Sequence, residues 1–500
     1  MTSKMNLGTL NAVCFGNFSG KSGERPDLTP HILTPNTWEN LWDDFKPGTS
    51  LTIDLPGVSD FMVHLSFKST KDFSENGLVQ SIPILKVARE LRDIIASTNV
   101  EKPLLREHEI FSKPEMAMIK AACGTQKDES VIVDLLSMVD IGDSQEEDSL
   151  SLKYLLKIFN GPSYDGTKRE KVLFDITTLE AEVFKQISKD QNFQDLAAAW
   201  QTLKYWAKKS NAMKLEIIDC ERSELCDAMY LNYIKPVDGN PRFIDLAFTL
   251  YSFDQSEDAR HQLLYLGKMA ESISVPFLGN TAPSLFGAKT EKRVGHIRDF
   301  TGKFSKPEYA KWRKLRDETG SEWIFLFINS FTLSTEEPKA WLPPAAWGAG
   351  LLRFLLEIDI WPGELMGPYG RMEYGEDVLL DLDDAQVNDM GYNGFCAITK
   401  EGQSLRISAM NSLSSLRIPS HAQSSASALV PFTLAYRFFS GLCARSFVQF
   451  TGEGSFIEEL KQKFDLKDED IKTEEGDNGP VIRITAPFGI YGIRPDFIIG

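Results

Sequence analysis

Seven residues near the start of the chain, Gly16-Asn17-Phe18-Ser19-Gly20-Lys21-Ser22, come nearest to a phosphate-binding loop. Such a loop needs four residues between its glycines, so that successive backbone N–H groups curve round the phosphates. It must also open a helix whose N-terminus completes the cradle. Here three residues separate Gly16 from Gly20, and Gly23–Pro35 is a polar, Pro-containing run that cannot begin a helix. A second group, Glu373, Glu376, Asp377, Asp381, Asp383 and Asp384, suggests a cation site. Its spacing misses the calcium-loop pattern and lacks the glycine that pattern needs. A capping role for Asp383 or Asp384, at the short helix before Gly391, accounts for it better. The six histidines, His31, His64, His108, His261, His296 and His421, show no metal-ligand pairing, and neither HExxH nor GxSxG occurs. The six cysteines, Cys14, Cys123, Cys220, Cys226, Cys396 and Cys443, form no CxxC pair and read as reduced thiols in strands and helices. No nucleophile, base and orienting group assemble from local motifs, so no catalytic, cofactor-binding or metal-binding residue is expected.

Composition points the same way. The chain has 500 residues, 42% of them hydrophobic and 25% charged, as in an ordinary globular protein of two to four domains. A net charge of −17 disfavours nucleic acid or an anionic membrane as the main partner, because either would repel the chain. The opening MTSKMNLGTLNAV lacks the apolar run of a secretory signal. Of the longest apolar stretches, Trp323–Phe331 is too short to span a bilayer, and Ala345–Trp361 carries Arg353, Glu357 and Asp359. A soluble, cytoplasmic protein with no direct membrane insertion is expected.

The elements that would position any site follow from periodicity. Thr9–Phe15 is strand-like, and Leu51–Leu55 and Phe61–Phe67 alternate about Pro56-Gly57 as a hairpin would. A helix is expected over 83–96, with Leu85, Ala88, Leu91 and Ile95 as its stripe and Pro83 in its first turn. Residues 101–170 read as a connector with short helices near 113–122, 130–139 and 149–159, broken by the acidic run Gly142–Ser149. From about 171, helices and strands alternate. Helices are expected at 190–208, 257–274, 306–318 and 343–358, with strands at Lys214–Asp219, Phe243–Phe253, Val275–Leu278, Trp323–Asn329 and Val378–Leu382. A long helix over 421–446, an acidic, Lys-rich segment over 456–476 and two strand-like pieces, Val481–Ala486 and Ile490–Ile499, close the chain. This is α/β organisation with a mixed sheet flanked by helices. The helix at 306–318 should start on a reciprocal cap between Ser305 and Glu308. Its Lys311, Arg313, Lys314 and Arg316 form a basic face, either solvated or set against an acidic neighbour in an assembly.

The stretch 190–206, DQNFQDLAAAWQTLKYW, is the most telling. Phe193, Leu196, Ala197, Trp200 and Leu203 recur at helical spacing, Asn192 can cap the start and Asp195 suits the first turn. Its wording resembles the helix that opens the core of the large sheath subunit of type VI secretion systems. Further segments resemble that subunit in the same order: Asp245–Phe253, Val275–Gly287, Pro307–Arg313, Pro344–Leu352, Gly367–Gly370, Asp389–Gly394, the helix at 421–446 and the terminal RITAPFGIYGIRPDFIIG. Leu10–Ser19 and Leu65–Phe73 with the helix at 83–96 are similar to the small sheath subunit.

The resemblance implies a contractile tail-sheath-like fold with both subunits in one chain. A small-subunit-like domain would span 1–100, a connector 101–174 and a large-subunit-like domain 175–500. It further implies a structural protomer, not an enzyme, that self-associates around an inner tube protein, meets a baseplate and is recycled by an AAA+ ATPase. The short helices within 113–159 are candidates for the recycling contact. A nucleotide-dependent α/β enzyme, and the sheath of another phage-tail-derived particle, are the competing expectations.

Overall fold

The computed structural model describes residues 9–25, 27–55, 58–96, 166–207, 213–235, 242–333, 340–358, 360–361, 365, 370–372, 375–419, 429–450, 455–476, 479–489 and 494–499. The connector helices expected near 113–122, 130–139 and 149–159 lie outside the described residues, as does Gly142–Ser149. The strands are β1 (Leu10–Gly16), β2 (His31–Leu33), β3 (Gly48–Leu55), β4 (Val58–Ser66), β5 (Met213–Asp219), β6 (Leu246–Phe253), β7 (Phe277–Thr281), β8 (Ile324–Ile328) and β9 (Phe331–Leu333). They continue as β10 (Arg371–Met372), β11 (Gly375–Val378), β12 (Phe395–Glu401), β13 (Ser404–Met410), β14 (Arg417–Pro419), β15 (Leu429–Pro431), β16 (Ile471–Gly476), β17 (Gly479–Thr485) and β18 (Asp496–Ile499).

By contact density the chain divides into two units: one of Met1–Phe18, Ser22–Phe45 and Ala198–Gly500, the other of Ser19–Lys21 and Lys46–Ala197. The first is built on a nine-stranded sheet in the order β10-β13-β12-β8-β7-β6-β1-β5-β2. Its six central strands, β12-β8-β7-β6-β1-β5, are parallel. The outer strands β13, β10 and β2 run antiparallel to their neighbours. Strands covered on both faces must be apolar throughout. Accordingly β8, Ile-Phe-Leu-Phe-Ile, is buried at every residue. Its Ile324, Leu326 and Ile328 join the core beneath the helices Glu257–Ser272 and Ala310–Asp317. On the opposite face the helix Pro344–Glu357 comes so close that a Cβ on Gly348 would sit 2.5 Å from the Phe327 ring. Trp206 stacks on Phe248 with ring centroids 5.3 Å apart.

β1 lies in the middle of this sheet, between β5 and β6. Ala12, Val13, Cys14 and Phe15 are fully buried, and Phe15 meets the rings of Tyr233 and Phe277. Asp245 fixes its start, accepting from the Asn11 N–H at 2.7 Å while pairing with Arg445 on the helix Leu434–Gln449.

The second unit holds the β3–β4 hairpin, antiparallel as the alternation requires, with Leu51, Ile53, Val63 and Leu65 buried and Thr52, Met62 and His64 exposed. Phe67 stacks on Phe73 at 4.0 Å. The helix Pro83–Ala96 lies where its stripe places it, and Arg92 meets the buried Glu180 at 2.6 Å. Glu180 belongs to a helix, Gly166–Ile187, that periodicity did not single out. Gln186 on that helix treats the edge of β3 as a strand would, accepting from the Asp54 N–H at 2.7 Å and donating to its carbonyl at 2.8 Å.

Most expected elements stand within a few residues of their places, with local corrections. The helix of the 190–206 stretch is Gln191–Ala207, and Asp190, not Asn192, caps it by accepting from the Phe193 N–H. Ser305 does not cap the following helix: its hydroxyl donates to the Gly302 carbonyl of the preceding turn, and Lys306 precedes the next one. The long helix over 421–446 is shorter, Leu434–Gln449, because the strand β15 runs through Pro431 and Thr433 supplies the cap. The strand expected at Val378–Leu382 is not formed there: residues 379–382 are irregular, and the strand β11 ends at Val378 and pairs with β9 outside the large sheet. Removing the Phe15 ring by Phe15→Ala should cost ~3–5 kcal/mol of the first unit's stability. The expected readout is a lower denaturant midpoint at an unchanged slope.

Candidate functional site

The parallel strands run in the order β5-β1-β6-β7-β8-β12, so the chain reverses direction across the sheet between β1 and β6. In sheets wound this way, ligands sit outside the carboxyl ends of the two strands at the reversal. That position follows Gly16 and faces the end of β6, where the phosphate-loop candidate begins.

Side chains of the chain itself fill it. Phe18 is wholly buried; its N–H donates to Asp219 Oδ1 at 2.6 Å, and its carbonyl accepts from Trp200 Nε1 at 2.8 Å. A Cβ on Gly16 would meet Leu250 at 3.0 Å and Phe18 at 3.1 Å, so the strand end is tightly enclosed. Arg25 lies across the opening, with Nε 2.8 Å from Asp219 Oδ2, Nη2 2.7 Å from Asn17 Oδ1 and Nη1 2.7 Å from the Gly23 carbonyl. Its own N–H donates to Glu224 Oε1 at 2.6 Å. Only 6% of the Arg25 side chain is exposed, so the guanidinium is spent on these partners. Tyr251 donates to the Cys220 carbonyl, and burial, with the charges of Cys220, Glu221 and Asp219 added, pushes its phenol far above the ordinary value. A phosphate here would face Asp219, Glu221 and Glu224 and would find the Phe18 N–H already bonded.

The other candidates disperse. Asp383 caps the helix Asp384–Tyr392, accepting from the Gln386 N–H at 2.8 Å, and Gln386 reciprocates. Asp377 on β11 lies 3.4 Å from Lys400, and Glu373 lies outside the described residues. Among the described residues no three His, Cys, Asp or Glu side chains converge as a metal ion would require. His31 faces Asp44 at 3.4 Å, His64 shares a hydrogen bond with Ser50 at 2.7 Å, and His261 and His296 are exposed apart from one another. His108, His421 and Cys123 fall outside the described residues. Burial raises the thiols of Cys14, Cys220, Cys396 and Cys443, and pushes Cys226 up to about 11, which keeps them protonated and unreactive.

What the molecule offers instead is sheet edge. In the nine-stranded sheet, edge strand β2 has three residues and β10 two, lengths that give another chain little to pair with. The three-stranded sheet β16-β17-β18 differs. Its β16 edge carries the exposed Lys472 and Glu475, whereas its β18 edge displays Ile498, 53% exposed. The inward side of β18 is anchored. Phe497 meets the rings of Phe439 and Tyr436, and the Tyr436 hydroxyl donates to the Asp496 carbonyl at 3.0 Å. Among the described residues nothing pairs with the outer edge of β18, and a firmly held strand with such an edge and an exposed apolar residue can add a partner's strand.

Residues 244–336, which cover β6 to β9, match the family model described as "VipB: EvpB/VC_A0108, tail sheath N-terminal domain". The resemblance is to a tail sheath domain. Over 177 residues the chain is also 25% identical to the type VI secretion system sheath protein TssC1 of Pseudomonas aeruginosa PAO1, covering 31% of this chain and 36% of that protein. The chain thus matches about a third of the length of this relative. Both similarities are to sheath proteins. Among the described residues no helix is long and apolar enough to cross a membrane.

Neither Arg25 nor Ile498 was legible as functional beforehand. Arg25 sits in a polar run, and its partner Asp219 is 194 positions away. Ile498 lies in the unbroken apolar run Phe497-Ile498-Ile499, so no alternation marks it as the exposed residue. If the crevice is closed as described, nucleotide with Mg²⁺ should leave the melting temperature unchanged, since only a ligand that binds the folded state can raise it. Arg25→Ala, which leaves Asp219 without its buried cation, should cost ~3–5 kcal/mol.

Proposed function

We propose that the chain is the protomer of a contractile sheath, that it polymerises around an inner tube, and that its contraction propels the tube outward as in type VI secretion. The observation that carries this reading is the sheath-domain match over 244–336, which coincides with the centre of the large sheet. In this reading residues 1–100 do the work of a small sheath subunit, 101–174 connect, and 175–500 do the work of a large one. Fusion fixes their ratio at one to one and makes their association intramolecular.

Copies couple through shared backbone pairing at exposed sheet edges, β18 foremost. Contacts that do not close on themselves generate an open helical polymer. Contraction sums a small gain per protomer along the whole sheath, so the sheath itself needs no nucleotide, cofactor or catalytic residue. The working compartment is the cytoplasm. The further partners of this reading are the inner tube protein, a baseplate and an AAA+ ATPase that recycles spent sheath.

Negative-stain microscopy of purified protein tests the proposal, with long tubules of cogwheel cross-section as the expected result. Ile498→Lys sets a charge on the open β18 edge without touching Phe497 or Ile499 in the core beneath. It should abolish tubules while leaving the melting temperature within a few degrees of the parent. Protein that stays monomeric at every concentration and salt while turning over a small molecule would end the proposal.

A further inference from the structure

Charge is distributed unevenly along this chain. Residues 289–316 carry ten Lys and Arg against three Asp and Glu, whereas the rest of the chain carries 44 against 68. The stretch forms the crossover between β7 and β8 in the first unit. The structure divides nine of its ten cations into two sets, the tenth being the half-buried Lys303.

One set is consumed internally. Arg316 is buried and donates to the carbonyls of Leu413 (2.9 Å) and Tyr392 (3.2 Å). Arg313 donates to the carbonyls of Phe304 and Lys306, and Arg298 pairs with Asp383. The basic face read from the sequence of 306–318 therefore loses two of its four members to the fold. The other set is presented outward. Lys289, Lys292, Arg293, Lys306, Lys311 and Lys314 are all exposed, and among the described residues their side chains have no carboxylate or hydrogen-bond partner.

The backbone beneath these six charges is held firmly. Asp389 accepts from the N–H groups of Phe300 (2.6 Å) and Thr301 (3.2 Å), and Gln386 donates to the carbonyls of Gly295 (3.0 Å) and Ile297 (2.7 Å). Six exposed cations without a partner among the described residues, on an ordered scaffold in a chain otherwise strongly acidic, set up a local positive field that attracts an acidic surface. A second copy of this chain carries charge of the complementary sign, because the sequence outside 289–316 is net negative by 24 charges.

We propose that the exposed basic crossover 289–314 is a docking surface for the acidic surface of the next copy of this chain. The inference rests on the reading of the chain as a self-assembling protomer and adds an electrostatic contact separate from strand pairing. Attraction of this kind sets encounter rate and register, and it weakens as salt shortens the Debye length from ~14 Å to ~4 Å between about 0.05 M and 0.5 M.

The test compares the parent with a variant carrying Lys292→Glu, Arg293→Glu, Lys311→Glu and Lys314→Glu, by sedimentation and negative-stain microscopy across that salt range. All four side chains are exposed, so an unchanged melting temperature is expected, and should it fall, Lys311→Glu with Lys314→Glu alone carries the comparison. The expected result is that the variant needs at least ten times the protein concentration to assemble at low salt, and that the difference shrinks at high salt. A variant that assembles at the parent's concentration with the parent's salt profile overturns the proposal while leaving the sheath reading intact. A parent that assembles under no condition overturns both.

Discussion

The fold depends on the insertion of β1 between β5 and β6. Parallel strands have no independent stability as a pair, because their side chains must be covered on both faces and their ladders closed on both sides. β1 meets that demand with four fully buried residues and backbone pairing to two neighbours. The carboxylate of Asp245 ties the amide of Asn11, the second residue of the strand, to Arg445, so one ion pair joins the start of β1 to a late helix. Without β1, the strands β5 and β6 would face each other across an empty lane, and the order β5-β1-β6 that creates the reversal point would not exist.

The same insertion explains what occupies the reversal point. The residues leaving β1 turn back at once: Phe18 fills the space above the strand ends and Arg25 is drawn onto Asp219 at the end of β5. In a topology that usually frames a crevice, Phe18 and Arg25 lie across the strand ends, and the polar groups there are spent on one another. The Arg25 and Asp219 side chains are only 6% and 12% exposed, so they pair under conditions where loss of either partner strands a buried charge.

Legibility followed interaction range. The hairpin β3–β4 and the helices Pro83–Ala96, Glu257–Ser272 and Pro344–Glu357 declared themselves through periodicity, because burial of one face is written every two or every 3.6 residues. The Asp383 cap was legible for the same reason, its partner being three residues away. The hairpin β12–β13 went unread although Gly402, at φ 63°, separates a buried run from the alternating Leu405, Ile407 and Ala409. The short edges β2 and β10 carry too few residues for a pattern. The burial of Arg316 could not be foreseen, because its acceptor on Leu413 lies 97 positions on. The sheath resemblance was legible from wording, and the family match falls on β6 to β9, part of the region that suggested it.

The central place of β1 also governs how the protein is made. Asn11 must find Asp245, 234 positions later. At the ribosome's pace of ~5–20 residues per second, the opening strand waits about ten to fifty seconds before its neighbours exist. During that interval Ala12–Phe15 is an unclaimed apolar ribbon, open to binding by chaperones or to pairing with the nascent chain of a neighbouring ribosome. A strand from the middle of the large sheet is thus the one whose apolar side chains stay uncovered longest while the chain is being made.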